Sequence, residues 1–245
     1  MSTLSIAITL ALLTAACSRP ADDAAARERG ERGDRGSRVA DAEAAPDLGA
    51  RIDVAADAPL VAFLGDSLAA GLHLPPERAF PAAVQRLLVQ SGHPFRLLNA
   101  GVSGDTSAGG LSRVDWVLAQ KPAVLVVELG GNDGLRGQPV ASIESNLRAI
   151  VTRATEAGVR VLLLGIQMPP SYGAAYCEAF AALYPRIASE LAVEFEPRFL
   201  DGVGGVPEMV LEDGLHPTAA GQERLAVNVL PALKRVLASL PESMR

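Results

Sequence analysis

Cysteine is nearly absent from this chain. Its 245 residues contain two, Cys17 and Cys177, far apart in sequence, which excludes a disulfide-rich scaffold. No apolar run reaches the ~18 residues of a membrane-spanning helix, which excludes a polytopic membrane protein. Positive charge is also short: 22 Lys and Arg stand against 28 Asp and Glu, for a net charge of −6. That balance argues against nucleic acid as a partner, because phosphate backbones are bound by clustered basic surface. What is present is a 49% hydrophobic share, incompatible with a wholly disordered chain. It suffices for one good core or two small ones at roughly 100–200 residues per domain.

The first segment reads as an address. Leu4 to Ala16 is a short apolar stretch ending in small residues, where a secretory signal peptide belongs. Its end, Leu13-Thr14-Ala15-Ala16-Cys17, resembles a bacterial lipobox, with Thr14 where an aliphatic residue is usual. In that reading Cys17 becomes a lipidated N-terminus and anchors an exported protein to the bacterial envelope; the alternative is a plain signal peptide and a periplasmic or secreted protein. Residues 18–57 mix Ala, Gly, Asp, Glu and Arg without aliphatic periodicity. Such a segment cannot offset the entropy of ordering, so a solvated tether is expected there. A single folded domain is expected over 58–245.

Within it, near-continuous aliphatic runs at Leu60–Leu64, Ala123–Leu129 and Val159–Leu164 suit strands buried on both faces of a parallel sheet. Arg96–Asn99 and Glu194–Phe199 are shorter candidates. Helical patterns fill the gaps at Pro81–Ser91, Ser107–Ala119, Pro139–Ala157, Ala174–Leu191 and Pro217–Leu240. The alternation predicts a doubly wound α/β domain, three layers deep, with about five strands in flavodoxin-like order. Sites in such sheets lie at the carboxyl ends of the strands.

Four motifs fall at those ends. Gly65-Asp66-Ser67-Leu68-Ala69-Ala70-Gly71 follows the first strand. It matches neither the NTPase phosphate loop nor the dinucleotide loop, but it sets a hydroxyl near a helix N-terminus, where free N–H groups stabilise an oxyanion. It can equally be a tight turn in which Ser67 caps the next helix. Asn99 to Ser107 follows the second strand. Asp105, Thr106 or Ser107 can cap a helix there, and Gly104 lets a backbone N–H approach a ligand. Glu128 to Gly137 closes the third strand, where the Asn132 amide can hold a turn or donate into a site. Last, Glu212-Asp213-Gly214-Leu215-His216-Pro217 places a carboxylate three residues before an imidazole able to take a proton from Ser67.

Of the three histidines, only His216 has an acid so placed. His93 reads as a surface turn residue and His73 as a loop residue beside the serine turn, with pocket lining as its alternative. Asp66, Asp105 and Asp133 read as structural. With one usefully placed histidine the chain lacks the ligand cluster that metal chemistry needs. Leu72, Leu74, Leu111, Met168 and Tyr172 are candidates to receive an acyl chain.

Together the four blocks resemble the SGNH (GDSL) hydrolase family, and within it the bacterial thioesterase/arylesterase/lysophospholipase branch, through GVSGDTSAGGLSR, ELGGNDGLRG, the Met168–Gly173 loop and DGLHP. The resemblance covers about Pro59 to Leu240. It implies Ser67 as nucleophile, His216 as base and Asp213 as its orienting acid, with an oxyanion hole from the Ser67 and Gly104 N–H groups and the Asn132 side chain. It implies metal-free hydrolysis of small acyl esters or thioesters without a cofactor, and no required protein partner. A carbohydrate O-acetyl esterase on the same fold and a non-enzymatic flavin- or nucleotide-binding module are the competing readings.

Overall fold

The computed structural model describes residues 52–242; the expected signal peptide and most of the expected tether lie outside them. Five strands, β1 (Leu60–Gly65), β2 (Arg96–Gly101), β3 (Val124–Glu128), β4 (Arg160–Leu164) and β5 (Glu194–Glu196), form one sheet in the order β2-β1-β3-β4-β5. Every pairing is parallel. The helices are α1 (Ser67–Ala70), α2 (Phe80–Gln90), α3 (Ser107–Ala119), α4 (Gly131–Leu135), α5 (Val140–Glu156), α6 (Ala174–Glu190) and α7 (Ala219–Ala238).

The aliphatic runs are continuous because both sheet faces are covered. Val61, Phe63, Val124, Val126, Leu162 and Leu164 point into a core closed by α2 and α7. Their neighbours Ala62, Leu64, Leu125, Val127, Val161 and Leu163 point into a second core, closed by α3, α5 and α6. Successive side chains of a strand alternate faces, so a strand between two helical layers is apolar at every position. The expected doubly wound, flavodoxin-like fold is the one observed. The chain leaves β1 toward one face and β3 toward the other, which opens a crevice at their carboxyl ends.

Two differences bear on the site. The fifth strand stops at Glu196 rather than running to Phe199, because Pro197 has no N–H to give the ladder. Two motif loops are themselves short helices: α1 begins at Ser67 and α4 at Gly131. Gly130, which starts α4 at φ +110, is required twice over, since a Cβ there would also lie 2.5 Å from the Tyr184 hydroxyl.

Candidate active site

The turn after β1 is drawn tight by its own side chains. Asp66, not Ser67, caps α1: its Oδ1 accepts from the Leu68 N–H at 3.0 Å. Ser67 is thus left free to present its hydroxyl across the crevice. The Ser67 Oγ lies 3.0 Å from His216 Nε2, and His216 Nδ1 lies 2.6 Å from Asp213 Oδ2. An ionised carboxylate only accepts, so Nδ1 carries the ring proton and Nε2 is the acceptor facing the hydroxyl. The other carboxylate oxygen, Asp213 Oδ1, takes the N–H groups of Leu215 and His216, each at 2.9 Å. The hydrogen bond from the His216 ring, and after it those two N–H groups, hold the Asp213 carboxyl well below the usual carboxylate range.

The loop carrying this pair is fastened at both ends. Leu211 donates to the His216 carbonyl at 2.7 Å and Thr218 to the Met209 carbonyl at 2.9 Å, around a bridge between Val210 and Pro217. Thr218 then caps α7 through Gly221. One turn into that helix, buried Gln222 accepts from the Phe80 N–H at 2.7 Å and donates to the Leu68 carbonyl at 3.2 Å. The histidine loop and the serine turn, some 150 residues apart in sequence, are therefore tied together by one amide.

The second and third motifs meet on the other side of Ser67. Asn132, in the first turn of α4, donates its amide to Asp66 Oδ2 at 3.1 Å. Gly104 is exposed at φ +80, and its carbonyl accepts from Arg136 at 3.1 Å. Among the described residues the Ser67 and Gly104 N–H groups have no acceptor within the protein. Asp133 holds the start of α3, taking the Ser107 N–H and hydroxyl at 2.7 Å each, while Thr106 caps that helix. Asp105 pairs with Arg113 at 2.7 Å, and Arg113 also donates to the Gly65 and Ala100 carbonyls at the ends of β1 and β2.

Beneath the serine turn lies Glu128, completely buried at the end of β3. Its Oε2 accepts from the Asp66 N–H at 3.2 Å, and the carboxyl also takes the Ala69 N–H; Oε1 has no hydrogen-bond partner. Burial first, then the nearby Asp66 charge, pushes Glu128 well above the ordinary value for a glutamate. Burial likewise pushes Asp66 up to about 6, against the N–H of Leu68 and the amide of Asn132, which pull it down. Both shifts run the same way, because burial disfavours the charged form of each carboxyl. Sequence reasoning gave Glu128 no role, although one glutamate ending an aliphatic strand was a visible signal. The carbonyl contacts of Arg113 and Arg136 had no such signal, because those acceptors are set by the fold.

A cleft of about 570 Å³ opens from Ser67 and Asn132 over the carboxyl ends of β3, β4 and β5. Leu68, Leu135, Ile166, Met168, Leu200 and Leu215 give it apolar walls. Of the five residues expected to receive an acyl chain, Met168 lines it. Leu111 packs against the core instead, Tyr172 is exposed with its hydroxyl on the Leu135 carbonyl, and Leu72 and Leu74 are not in the wall. Nearness to the motif loops along the chain suggested them but could not say which face each covers. A smaller recess of about 260 Å³ lies at the opposite end of β4, around Arg160, Glu194 and Arg235.

His93 stands exposed in its turn, bonded to the Ser91 carbonyl. His73 stands exposed in the loop beside the serine turn, as expected, and is not in the cleft wall. Its ring stands edge-on to His216, centroids 5.9 Å apart, and His73, Asp213 and His216 each bring a possible ligand atom within 4.8 Å of the others. The expected absence of any such cluster is thus corrected. The three residues come from two loops that only the closed sheet brings together, so no local spacing could reveal them.

Residues 63–224 match the GDSL-like lipase/acylhydrolase family. Over 175 residues the chain is 48% identical to Esterase TesA of Pseudomonas aeruginosa, a match spanning 71% of this chain and 87% of that one. It is 39% identical over 173 residues to the thioesterase 1/protease 1/lysophospholipase L1 of Escherichia coli K12, spanning 70% and 82%. Among solved structures it superposes on TesA with a TM-score of 0.70 at 47% identity, over 72% of this chain and 98% of TesA. The TM-score is also 0.70 for the esterase EstA from a Pseudoalteromonas species in its monoethylphosphonate-inhibited form, at 31% identity over 74% of this chain and 100% of EstA. By sequence and by fold, this chain belongs to the GDSL-like lipase/acylhydrolase family.

Proposed function

We propose that the protein is a serine hydrolase that cleaves small carboxylic esters, including acyl esters and thioesters, through an acyl-enzyme. The observation that carries this reading is the continuous relay from Asp213 through His216 to the Ser67 hydroxyl, at 2.6 and 3.0 Å, on the lip of an apolar-walled cleft. The esterase, thioesterase and lysophospholipase names of its relatives support the same chemistry. Ser67 Oγ attacks the carbonyl carbon while His216 Nε2 takes its proton. The carbonyl π pair moves to oxygen, which the Ser67 and Gly104 N–H groups and the Asn132 amide hold. Collapse breaks the ester bond, and the leaving oxygen or sulfur takes the proton back from His216. Water, deprotonated by the same nitrogen, then frees the acid. Asp213 keeps the imidazole in the tautomer that accepts at Nε2 and stabilises it once charged.

The apolar walls favour an acyl chain over a sugar in the cleft, so an O-acetyl esterase is the weaker reading. A chain-length series of acyl esters and thioesters separates the two: turnover per KM should rise beyond acetyl, whereas a sharp preference for acetyl would favour the sugar esterase. Ser67→Ala should abolish labelling by an organophosphonate and lower kcat by orders of magnitude, with the circular dichroism spectrum unchanged. Full turnover in that variant would overturn the serine mechanism.

We also propose that the protein is exported and held at the bacterial envelope by lipid on Cys17, on the strength of the apolar segment ending there. The native protein should fractionate with membranes and Cys17→Ser should release it or leave it unprocessed. A soluble wild-type protein beginning beyond Cys17 would leave simple secretion.

A further inference from the structure

We infer that His73, Asp213 and His216 form a binding site for one borderline divalent transition cation, of which Zn²⁺ is the type, and that its occupation switches the hydrolase off. The donor set is two imidazole nitrogens and one carboxylate oxygen. That is the set of an open zinc site, which leaves a fourth position to water. The three ligand atoms already lie within 4.8 Å of one another. Tetrahedral ligation at about 2.1 Å needs ligand atoms about 3.4 Å apart, so closure asks only for small side-chain rotations. His73 and Asp213 are exposed and His216 is partly so, which opens the site to solvent and leaves the His73 ring to turn toward an imidazole already held by Asp213 and Ser67. Magnesium and calcium, which take mainly oxygen ligands in larger number, do not suit it.

His73 has no other visible employment. Its ring makes no hydrogen bond among the described residues; its contact is the edge-on approach to His216, at 5.9 Å and 87°. The backbone that delivers it there is unusual, with φ +69 at a residue other than glycine. Just before it, Gly71 at φ +69 caps α1, and the Leu74 N–H closes the turn on the Gly71 carbonyl at 2.9 Å. Histidine tolerates this left-handed region better than most residues but still at some cost.

The consequence for catalysis follows from counting lone pairs, and it rests on the hydrolase reading above. Neutral imidazole has one ring proton and one free pair. A cation on Nε2 takes the pair that would accept the Ser67 proton. A cation on Nδ1, inserted between the ring and Asp213, moves the ring proton to Nε2, which then donates and cannot accept. Either attachment removes the base, and chelation restores it without any covalent change.

The test separates binding from turnover. Zn²⁺ is titrated calorimetrically into the Ser67→Ala protein in a non-chelating buffer, with no substrate present. One cation per chain is expected, with affinity at least about tenfold weaker once His73→Asn is added and no heat from Mg²⁺. Asparagine suits the left-handed backbone, so the turn should survive. In the otherwise unaltered enzyme, Zn²⁺ should inhibit ester hydrolysis at a matching midpoint, reversibly with EDTA. His73→Asn should leave uninhibited turnover unchanged and raise that midpoint at least about tenfold. Equal affinities or equal midpoints with and without His73 would overturn the site. If no ester is hydrolysed but His73-dependent binding persists, the hydrolase reading falls and the cation site stands.

Discussion

Asp213 and Asp66 are the same side chain on two sides of one serine, and their surroundings drive them in opposite directions. Asp213 sits on an exposed loop, three residues from its imidazole, and its three hydrogen bonds all favour the charged form. Asp66 is buried against Glu128, and the loss of water outweighs the two donors it keeps. The first carboxylate stays ionised across the working range and can steady a developing imidazolium. The second shares a dry pocket with the Glu128 carboxyl and holds geometry: the start of α1 through Leu68 and the Asn132 amide through Oδ2. A carboxylate is fit for electrostatic work where it is solvated and hydrogen-bonded, and for structural work where it is buried.

The sharpest test of that division is kinetic. His216→Ala should lower kcat by about 10⁴-fold or more, and Asp213→Ala by about one to two powers of ten less, because an imidazole held by its loop keeps some basicity. Asp213→Ala should not move the urea unfolding midpoint appreciably, as that side chain stands exposed on its loop. A large loss of stability in Asp213→Ala would dissolve the contrast with Asp66.

Next in size, Asn132→Ala should reduce kcat by roughly a hundredfold with little change in KM, since an oxyanion donor strengthens only in the tetrahedral state. If KM alone rose, Asn132 would be a binding or turn residue, and the bond its amide donates to Asp66 would serve the fold and not the chemistry.

The buried side is tested by stability. Glu128→Ala should cost about 2–4 kcal/mol by urea denaturation, through a cavity and two backbone N–H groups left unpaired. Glu128→Gln should cost less, since its oxygen can still accept from Asp66. In the folded protein Asp66 titrates near 6 against an ordinary 3.8, so between those values the native state holds a proton that the unfolded chain has lost. Its contribution to stability is full below pH 3.8 and is lost as pH rises through 6. Asp66→Asn should therefore gain on the wild type in melting temperature between pH 4 and pH 7. A gap that does not change with pH would mean that burial does not hold a proton on Asp66.

Legibility in the sequence follows the range of each interaction. Helix α3 coincides with its expected span, Ser107–Ala119, because cap and periodicity are local. The Asp213–His216 pair was equally legible, being three positions apart, and so was the two-faced burial of β1 and β3, written in uninterrupted aliphatics. Glu128 was visible only as an anomaly, since its partners, the Asp66 and Ala69 N–H groups, belong to another strand's turn. Arg113 was quoted in a motif but its clamp on Gly65 and Ala100 was not, because carbonyl acceptors leave no mark in side-chain chemistry.

By itself the sequence determined the layer architecture, the strand-end placement of four motifs and the chemical types available there, since periodicity and short-range spacing act within a few residues. Only the tertiary structure decided which groups meet. It set Ser67 within reach of a ring 149 residues away, buried Glu128 under the nucleophile, turned His73 to the exposed edge of His216 and chose Leu200 over Leu72 for the cleft wall. Those pairings depend on the register of a parallel sheet and the packing of helices on its two faces, which arise only when the whole chain closes.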